Sequence, residues 1–566
     1  MPGDSIHLNT RSVPQNTYDA IIVGSGISGS LAAKELCEKG LKVLLLERGR
    51  ELTHPNYPTT HKNIWEFEHR NNLSVEDKER CYVQSRHYSY AEDNKHFYIN
   101  DKENPYTEIK RYDWVRADVV GGRSLLWARQ SYRWSDLDFE ANGKDGYGVD
   151  WPIRYKDIAP WYDYVETFAG ISGSREGIPE LPDGKFLPPF EMNCVEKDFK
   201  KKMEAAFRDR KLIIGRTANL TVAKEGRGQC QSRNLCHRGC PYGAYYSSNS
   251  GAIPVALATN NLTIRPDSLV NRVIYDEQKQ RAAGVEIIDT HTKKTEEFYA
   301  KIIFLNAATL GTAFILLNST SSRFPNGLGN GSEQVGRNLM DHHKGISASA
   351  RVEGFLDSYY YGRRPTGVYI PRFRNVHTPS PDFLRGYHYG GGAARGRSGG
   401  NAPLGVALKE SLSEPGGWQM GIYAFGECLP YSENRVVLDK DKKDPWGRPM
   451  MSIDCEFKEN EHKMVEDIKV TSQEMLEAAG YKHVKVSGAI SFPGNANHEM
   501  GIARMGRDPK TSVLNAFNQM HEVPNVFITD GSCMASGSCV NPSITYMALT
   551  ARACDYAVRE LKKQNI

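Results

Sequence analysis

Two groups of residues in this 566-residue chain have types and spacing that could do chemistry. The first is the glycine turn Gly24-Ser25-Gly26-Ile27-Ser28-Gly29, which follows the apolar run Ala20 to Val23 and opens a helical pattern. Gly24 suits a tight turn, Gly26 lets the backbone approach a pyrophosphate, and Gly29 permits close packing of helix on strand. The N-terminus of the helix then faces the phosphates. Glu47 ends the next apolar stretch, where a carboxylate holds a ribose hydroxyl, and Arg48 adjoins it. An acid there points to a ribose without a 2′-phosphate, hence FAD or NAD, and the local motif does not separate the two.

The second group is Cys230, Cys236 and Cys240, in the pattern C-x5-C-x3-C-P closed by Pro241. Thiolates are the preferred ligands of iron–sulfur clusters, and three without a fourth fit a three-iron, four-sulfur (3Fe–4S) cluster. Zinc held by these thiols and His237 is a rival, although adjacent Cys236 and His237 would strain a tetrahedral site. The third reading is a folded loop with no ligand. The other cysteines of the 11 are scattered singly and read as small buried hydrophobes.

The elements that must position these groups follow from periodicity. Tyr18 to Val23, Ile27 to Lys39 and Leu41 to Leu46 read as strand, helix and strand. Leu262 to Arg265, a hairpin over Arg272 to Tyr275 and Ala283 to Ile288, and Ile302 to Leu305 read as further strands. After a strand at Asn525 to Thr529 the chain ends in a long helix. Its apolar stripe is Ile544, Met547, Ala551, Cys554, Val558 and Leu561, with Pro542 in the first turn and Asn541 as the cap. Segments of roughly 50–200 and 346–494, rich in Tyr, Trp, Phe and Gly, suit a substrate-binding domain. Tyr359, Tyr360 and Tyr361, or Tyr387 and Tyr389, could stack on pyranose faces, but aromatics are equally common in cores and none is assigned that role.

Composition narrows the class. With 39% hydrophobic and 25% charged residues the chain is an ordinary globular protein. Its 72 basic and 68 acidic residues are well mixed, and a net charge of +4 gives no reason to expect nucleic acid or an acidic membrane as partner. No apolar run is long enough for a transmembrane span. Residues Met1 to Asn16 are polar and lack the pattern of a secretory signal.

Further motifs stand in order along the chain: Gly121-Gly122-Arg123-Ser124-Leu125-Leu126-Trp127, Val335 to His342, Asn497-His498-Glu499-Met500-Gly501, Asp530-Gly531-Ser532, and Asn541-Pro542-Ser543-Ile544-Thr545. In this order they resemble the glucose–methanol–choline (GMC) family of flavin oxidoreductases. Within it the chain looks most like bacterial FAD sugar dehydrogenases of the glucose, fructose and glucoside 3-dehydrogenase types. The resemblance covers the N-terminal fingerprint and most of the chain from Gln229 onward.

That resemblance implies an α/β fold: a Rossmann-like FAD-binding domain with a discontinuous substrate-binding domain on a mixed or antiparallel sheet. The expected division is 1–50, 200–345 and 495–566 for FAD, with the first segment extending through the 110–130 flavin loop, and 51–199 with 346–494 for substrate. It implies His498 as catalytic base and Asn541 as its partner. Gly121, Gly122 and Ser124 lie against the flavin, Asp530 and Gly531 near its phosphate and ribityl chain, and Val270 at the adenine. Leu126 occupies the place where some relatives carry a histidine bonded to FAD, so FAD is expected to be noncovalent. His342 and His343 are expected to be structural.

The pair suits the chemistry. Histidine accepts a hydroxyl proton near working pH, and asparagine orients the hydroxyl without adding charge. The expected activity is dehydrogenation of a sugar or glycoside hydroxyl, first at C3 of glucosides. By resemblance, electrons leave through the cysteine cluster to a cytochrome c partner, and a small export subunit accompanies the chain to the periplasm. Cytoplasmic residence is the alternative, an oxygen-using oxidase the rival enzyme, and a non-redox lyase the third reading.

Overall fold

Ala20, Ile21, Ile22 and Val23 are apolar without alternation, as a strand buried on both faces of a parallel sheet requires. The computed structural model, which describes residues 16–358, 364–377, 379–397 and 404–566, places Thr17–Val23 at the centre of a seven-stranded sheet. It pairs in parallel with Val43–Leu46 on one side and Thr295–Leu305 on the other. Leu262–Arg265 and Val526–Ile528 extend the parallel set. The hairpin Ser268–Asp276 and Arg281–Asp289 closes the other edge antiparallel. The helix Ile27–Glu38 and the C-terminal helix Ser543–Lys562 cover one face, with Ala33, Leu36, Ala553 and Ala557 in their shared core. All six residues of the expected C-terminal stripe are buried.

A second sheet of six strands is antiparallel throughout. Its order is Lys482–Ser487, Ser347–Val352, Pro415–Gly426, Tyr387–Arg397, Val368–Ile370 and Ile213–Ile214. The helix Glu459–Ala478 buries Met464, Ile468, Met475 and Leu476 against it. Cys194–Ala206 joins the same core through Val195, Phe199 and Met203. That helix crosses residue 200, where the sequence division falls, and Ile213–Ile214 beyond it pairs as the edge strand of this second sheet. Tyr387 and Tyr389 are core residues here, with hydroxyls turned to Asp467, Thr471 and the Ile468 carbonyl rather than to any cavity. Tyr359, Tyr360 and Tyr361 lie outside the described residues.

A third sheet gathers distant segments: Met500–Ile502, Arg337–Met340, Arg435–Lys443, Pro449–Asp454 and Thr107–Glu108. In it Met500 stands opposite Met340 on an antiparallel neighbour. Two residues beyond Met340 is His342, and two before Met500 is His498. Register therefore brings these two histidines face to face.

Candidate active site

The glycine turn joins the strand Thr17–Val23 to the helix Ile27–Glu38. Gly24 has φ +94°, and a Cβ there would lie 2.3 Å from the Asn306 carbonyl oxygen; a Cβ on Gly29 would meet the Gly24 carbonyl at 1.8 Å. Neither position accepts a side chain. A Cβ on Gly26 meets no protein atom and would project into a cavity of about 1600 Å³. Glu47 is buried on that cavity, accepting from the Ser25 amide (3.0 Å), the Ser25 hydroxyl (2.6 Å) and the Gly49 amide (2.9 Å). Burial raises its pKa, and those three donors act to lower it. Arg48 is held by Asp118 and Asn104.

The same cavity is lined by Gly24, Gly26, Glu47, Arg48, Gly122, Ser124, Val270, Asp530, Gly531, His498 and Asn541. Gly29 and Gly121 lie beneath its surface rather than on it. The N-termini of the helices Ile27–Glu38 and Ser543–Lys562 both open on this space, bringing two positive dipole ends to it. Buried polar atoms on residues of its wall that find no partner among the described residues include Ser28 Oγ, Asn306 Nδ2 and Tyr546 Oη. Such orphaned groups, with the open space at Gly26, fit a dinucleotide with a pyrophosphate and polar rings.

His498 is fixed from several directions. Its amide donates to Asp341 Oδ1 at 3.0 Å, while Asp341 Oδ2 accepts from Gly494 and Ala496. One carboxylate thus shapes the whole loop. Beside it, Arg123 forms a two-pronged ion pair with Glu499 (3.0 and 2.6 Å), tying the glycine loop Gly121 to Trp127 to the histidine segment. On its ring, Nδ1 lies 2.9 Å from Nδ1 of His342, and Nε2 accepts from Asn541 Nδ2 at 3.3 Å.

The tautomers follow from the chain of partners. His342 Nε2 lies 3.2 Å from the Gly537 carbonyl, which can only accept, so Nε2 carries the proton. Burial pulls the His342 pKa down to about 4 and keeps the ring neutral, leaving its Nδ1 an acceptor. His498 Nδ1 must then donate, and His498 Nε2 keeps a lone pair directed at Asn541. Burial, followed by the proximity of His342, Lys344 and Arg123, holds the His498 pKa well below the ordinary histidine value. The arrangement presents a neutral imidazole ready to accept one proton.

Three expectations change. Asn541 is not the helix cap, because Pro542 occupies that position and no side chain caps the helix; the Asn541 amide is turned to His498 instead. His342, read from sequence as structural, makes direct contact with the candidate base, whereas His343 packs on Met464 as expected of a core residue. The signal for His342 lay in strand register between distant segments. His87, unremarked in the sequence, also lines the cavity and faces Asn497 at 3.1 Å.

The cysteines are the third change. Cys230 and Cys236 lie on the cavity wall and Cys240 does not. Among the described residues no three His, Cys, Asp or Glu side chains are grouped so as to hold a metal ion. As placed, the thiols do not fit the 3Fe–4S cluster expected of them. His237 is not grouped with the thiols as a metal ligand either; its Nε2 faces Asp93 Oδ2 at 2.8 Å, and Arg238 shares that carboxylate.

Comparison with known proteins decides the family. Residues 18–344 match the N-terminal GMC oxidoreductase model and residues 430–550 the C-terminal one. The chain belongs to the GMC oxidoreductase family. It is 30% identical over 563 residues to 2-methyl-1,2-propanediol dehydrogenase of Mycolicibacterium austroafricanum, covering 96% of this chain and 95% of that one. It is 28% identical over 553 residues to the fructose dehydrogenase large subunit of Gluconobacter japonicus, covering 96% and 98%. Among solved structures, formate oxidase from Aspergillus oryzae RIB40 superposes with a TM-score of 0.58 at 15% identity, covering 98% of this chain and all of the other. The GMC chain is thus an FAD-dependent oxidoreductase acting on CH–OH groups, with a Rossmann FAD-binding domain and a substrate domain. No helix among the described residues is long and apolar enough to cross a membrane.

Proposed function

We propose that this GMC enzyme dehydrogenates a hydroxyl-bearing carbon of a sugar or glycoside, with C3 of a glucoside as the first substrate to try. The observation that carries the reading is the unprotonated Nε2 of His498 set 3.3 Å from the Asn541 amide on the wall of the shared cavity. A substrate hydroxyl entering there gives its proton to Nε2 and accepts from Asn541 Nδ2. FAD, when bound, supplies the two-electron hydride acceptor. Gly26 and the orphaned Ser28, Asn306 and Tyr546 would hold it, with Glu47 at the ribose, Val270 at the adenine, and Gly122, Ser124, Asp530 and Gly531 along the rest. Leu126 offers no nucleophile for a covalent link, so the cofactor is bound noncovalently.

The depressed pKa of His498 suits this role twice. It keeps the base free at neutral pH and makes the imidazolium formed during reaction give up its proton readily, at the cost of a weaker pull on the substrate proton. Arg123 and Asp341 act by holding the glycine loop and the His498 segment in register with each other.

The thiol placement carries no electron-transfer step in this proposal. It favours a second reading in which oxygen is the acceptor, as in an oxidase. For the dehydrogenase reading, similarity to the large subunit of a fructose dehydrogenase supports a companion subunit. The test is anaerobic addition of sugars, glycosides and simple diols to the holoprotein, with iron analysis and oxygen consumption measured in parallel. Flavin bleaching by a sugar supports the proposal; bleaching with peroxide formed in air selects the oxidase. No bleaching by any alcohol overturns the proposal and leaves a non-redox lyase.

A further inference from the structure

Every carboxylate on the cavity wall is already engaged. Glu47 is capped by Ser25 and Gly49, Glu499 pairs with Arg123, Asp444 with Arg448, and Asp530 accepts from Ser532 and Thr312. Glu196 pairs with Arg364 and also accepts from the Asn193 and Ala393 amides. The cations on the wall are not balanced in the same way.

Lys344 follows the Asp341-His342-His343 segment and lines the cavity. Its Nζ lies 4.7 Å from the centre of the Tyr88 ring and 5.9 Å from that of Phe425, which also has the His498 ring as a neighbour at 5.9 Å. Among the described residues no carboxylate lies within ion-pair distance of it. Its backbone is pinned on both sides of the peptide, the amide donating to Ser491 Oγ and the carbonyl accepting from the Ser491 amide. Burial lowers its pKa to about 8, partly offset by the more distant Asp341, so it is mostly charged at neutral pH. Tyr88 lines the cavity and is 82% exposed.

Arg129 is another wall cation without a carboxylate partner among the described residues; Arg233 and Arg395 also lack one, but backbone carbonyls take up their donors. Arg129 lines the same wall, its backbone has φ +64°, and its buried Nε finds no acceptor while one terminal nitrogen donates to the Trp127 carbonyl. A non-glycine residue in that conformation beside an orphaned guanidinium nitrogen is the kind of strain found where a ligand completes the site. Tyr88 and Lys344 line the same cavity wall as Arg129.

We infer that this end of the cavity is an anion subsite. Lys344, with Arg129 on the same wall, receives the carboxylate of a sugar acid whose hydroxyl is presented to His498, and the open Tyr88 ring contacts the sugar face. The inference rests on the proposed oxidation of a sugar hydroxyl and narrows its substrate class. Charge-assisted hydrogen bonds in a partly desolvated site favour the anion over its neutral isostere by roughly ten- to hundredfold. Lys344 and Arg129 give no such preference to a neutral sugar.

The test compares methyl glucopyranoside with methyl glucopyranosiduronate, which differ in a CH2OH against a carboxylate at C6. Equilibrium binding to the holoprotein is read from perturbation of the flavin spectrum, which does not need turnover. The expected result is tighter binding of the uronate by about tenfold or more, a preference that weakens with added salt. Lys344→Met abolishes the preference, Lys344→Arg retains it, and Arg129→Met reduces it. Equal binding of the two sugars, or Lys344→Met weakening both alike, overturns the subsite; the latter would mean that Lys344 serves the flavin. If the uronate binds selectively but no alcohol bleaches the flavin, the subsite stands and the redox reading falls.

Discussion

His342 and His498 face each other with 2.9 Å between their Nδ1 atoms, and the Gly537 carbonyl on the far side of His342 settles which of them donates. The geometry makes His342 the residue that sets the tautomer of the base. His498 can keep its lone pair on Nε2 only while an acceptor waits at Nδ1.

His342→Leu removes that acceptor and leaves a buried N–H unsatisfied, at a cost of about 1–3 kcal/mol. If the tautomer argument holds, flavin reduction slows by about tenfold or more, with the cost falling on kcat rather than KM. His342→Asn, which offers an acceptor oxygen, recovers part of the rate. Equal losses in both variants would show that His342 acts through packing alone.

The pH dependence follows from burial. A base whose folded pKa lies below the usual value near 6.5 stays unprotonated as pH falls through that region. Flavin reduction by substrate is therefore expected to be flat from pH 8 to about 6 and to decline only in more acid buffer. Stability moves differently. His87, His343 and His388 are held down to about 3 and His342 to about 4, all mainly by burial. The unfolded chain takes up these protons below pH about 6.5 and the folded chain does not, so stability is present above that pH and is lost as pH falls toward the folded values. Each such histidine removes up to about 1.4 kcal/mol per pH unit over that window. Urea midpoints measured between pH 7 and 4.5 check the sign.

Arg123→Met strands the Glu499 carboxylate, whose side chain is 1% exposed, without its partner. A stability loss of about 3 kcal/mol is expected, together with weaker flavin retention, because the glycine loop loses its tie to the His498 segment. Adding Glu499→Gln to the same protein restores part of the stability, which a double-mutant cycle in urea reads directly.

Much of the fold was legible in the sequence because it is local. The fingerprint strand, helix and second strand are set by apolar runs and three glycines, and the C-terminal helix by a stripe that repeats every three or four residues. The site was legible only as separate motifs. Nothing near His498 in the chain says that Met500 pairs with Met340, and this pairing is what turns His342 from a core residue into a partner of the base. Asn541 carried two readings, a helix cap from its type and place before Pro542 and a partner of His498 from resemblance, and the structure turns its amide to His498 and leaves the helix uncapped by a side chain. For the cysteines, spacing describes thiols along a loop but not the directions they take, and Asp93, remote in sequence, holds His237 and Arg238 between two of them.

The measurement that tests the account most directly is anaerobic stopped-flow reduction of the flavin by its best alcohol substrate, wild type against His498→Ala. Loss of a general base predicts a rate lower by about 10²- to 10⁴-fold in the variant, with flavin content unchanged. A variant that keeps its flavin and is reduced at the wild-type rate would contradict the assignment of His498 as the base.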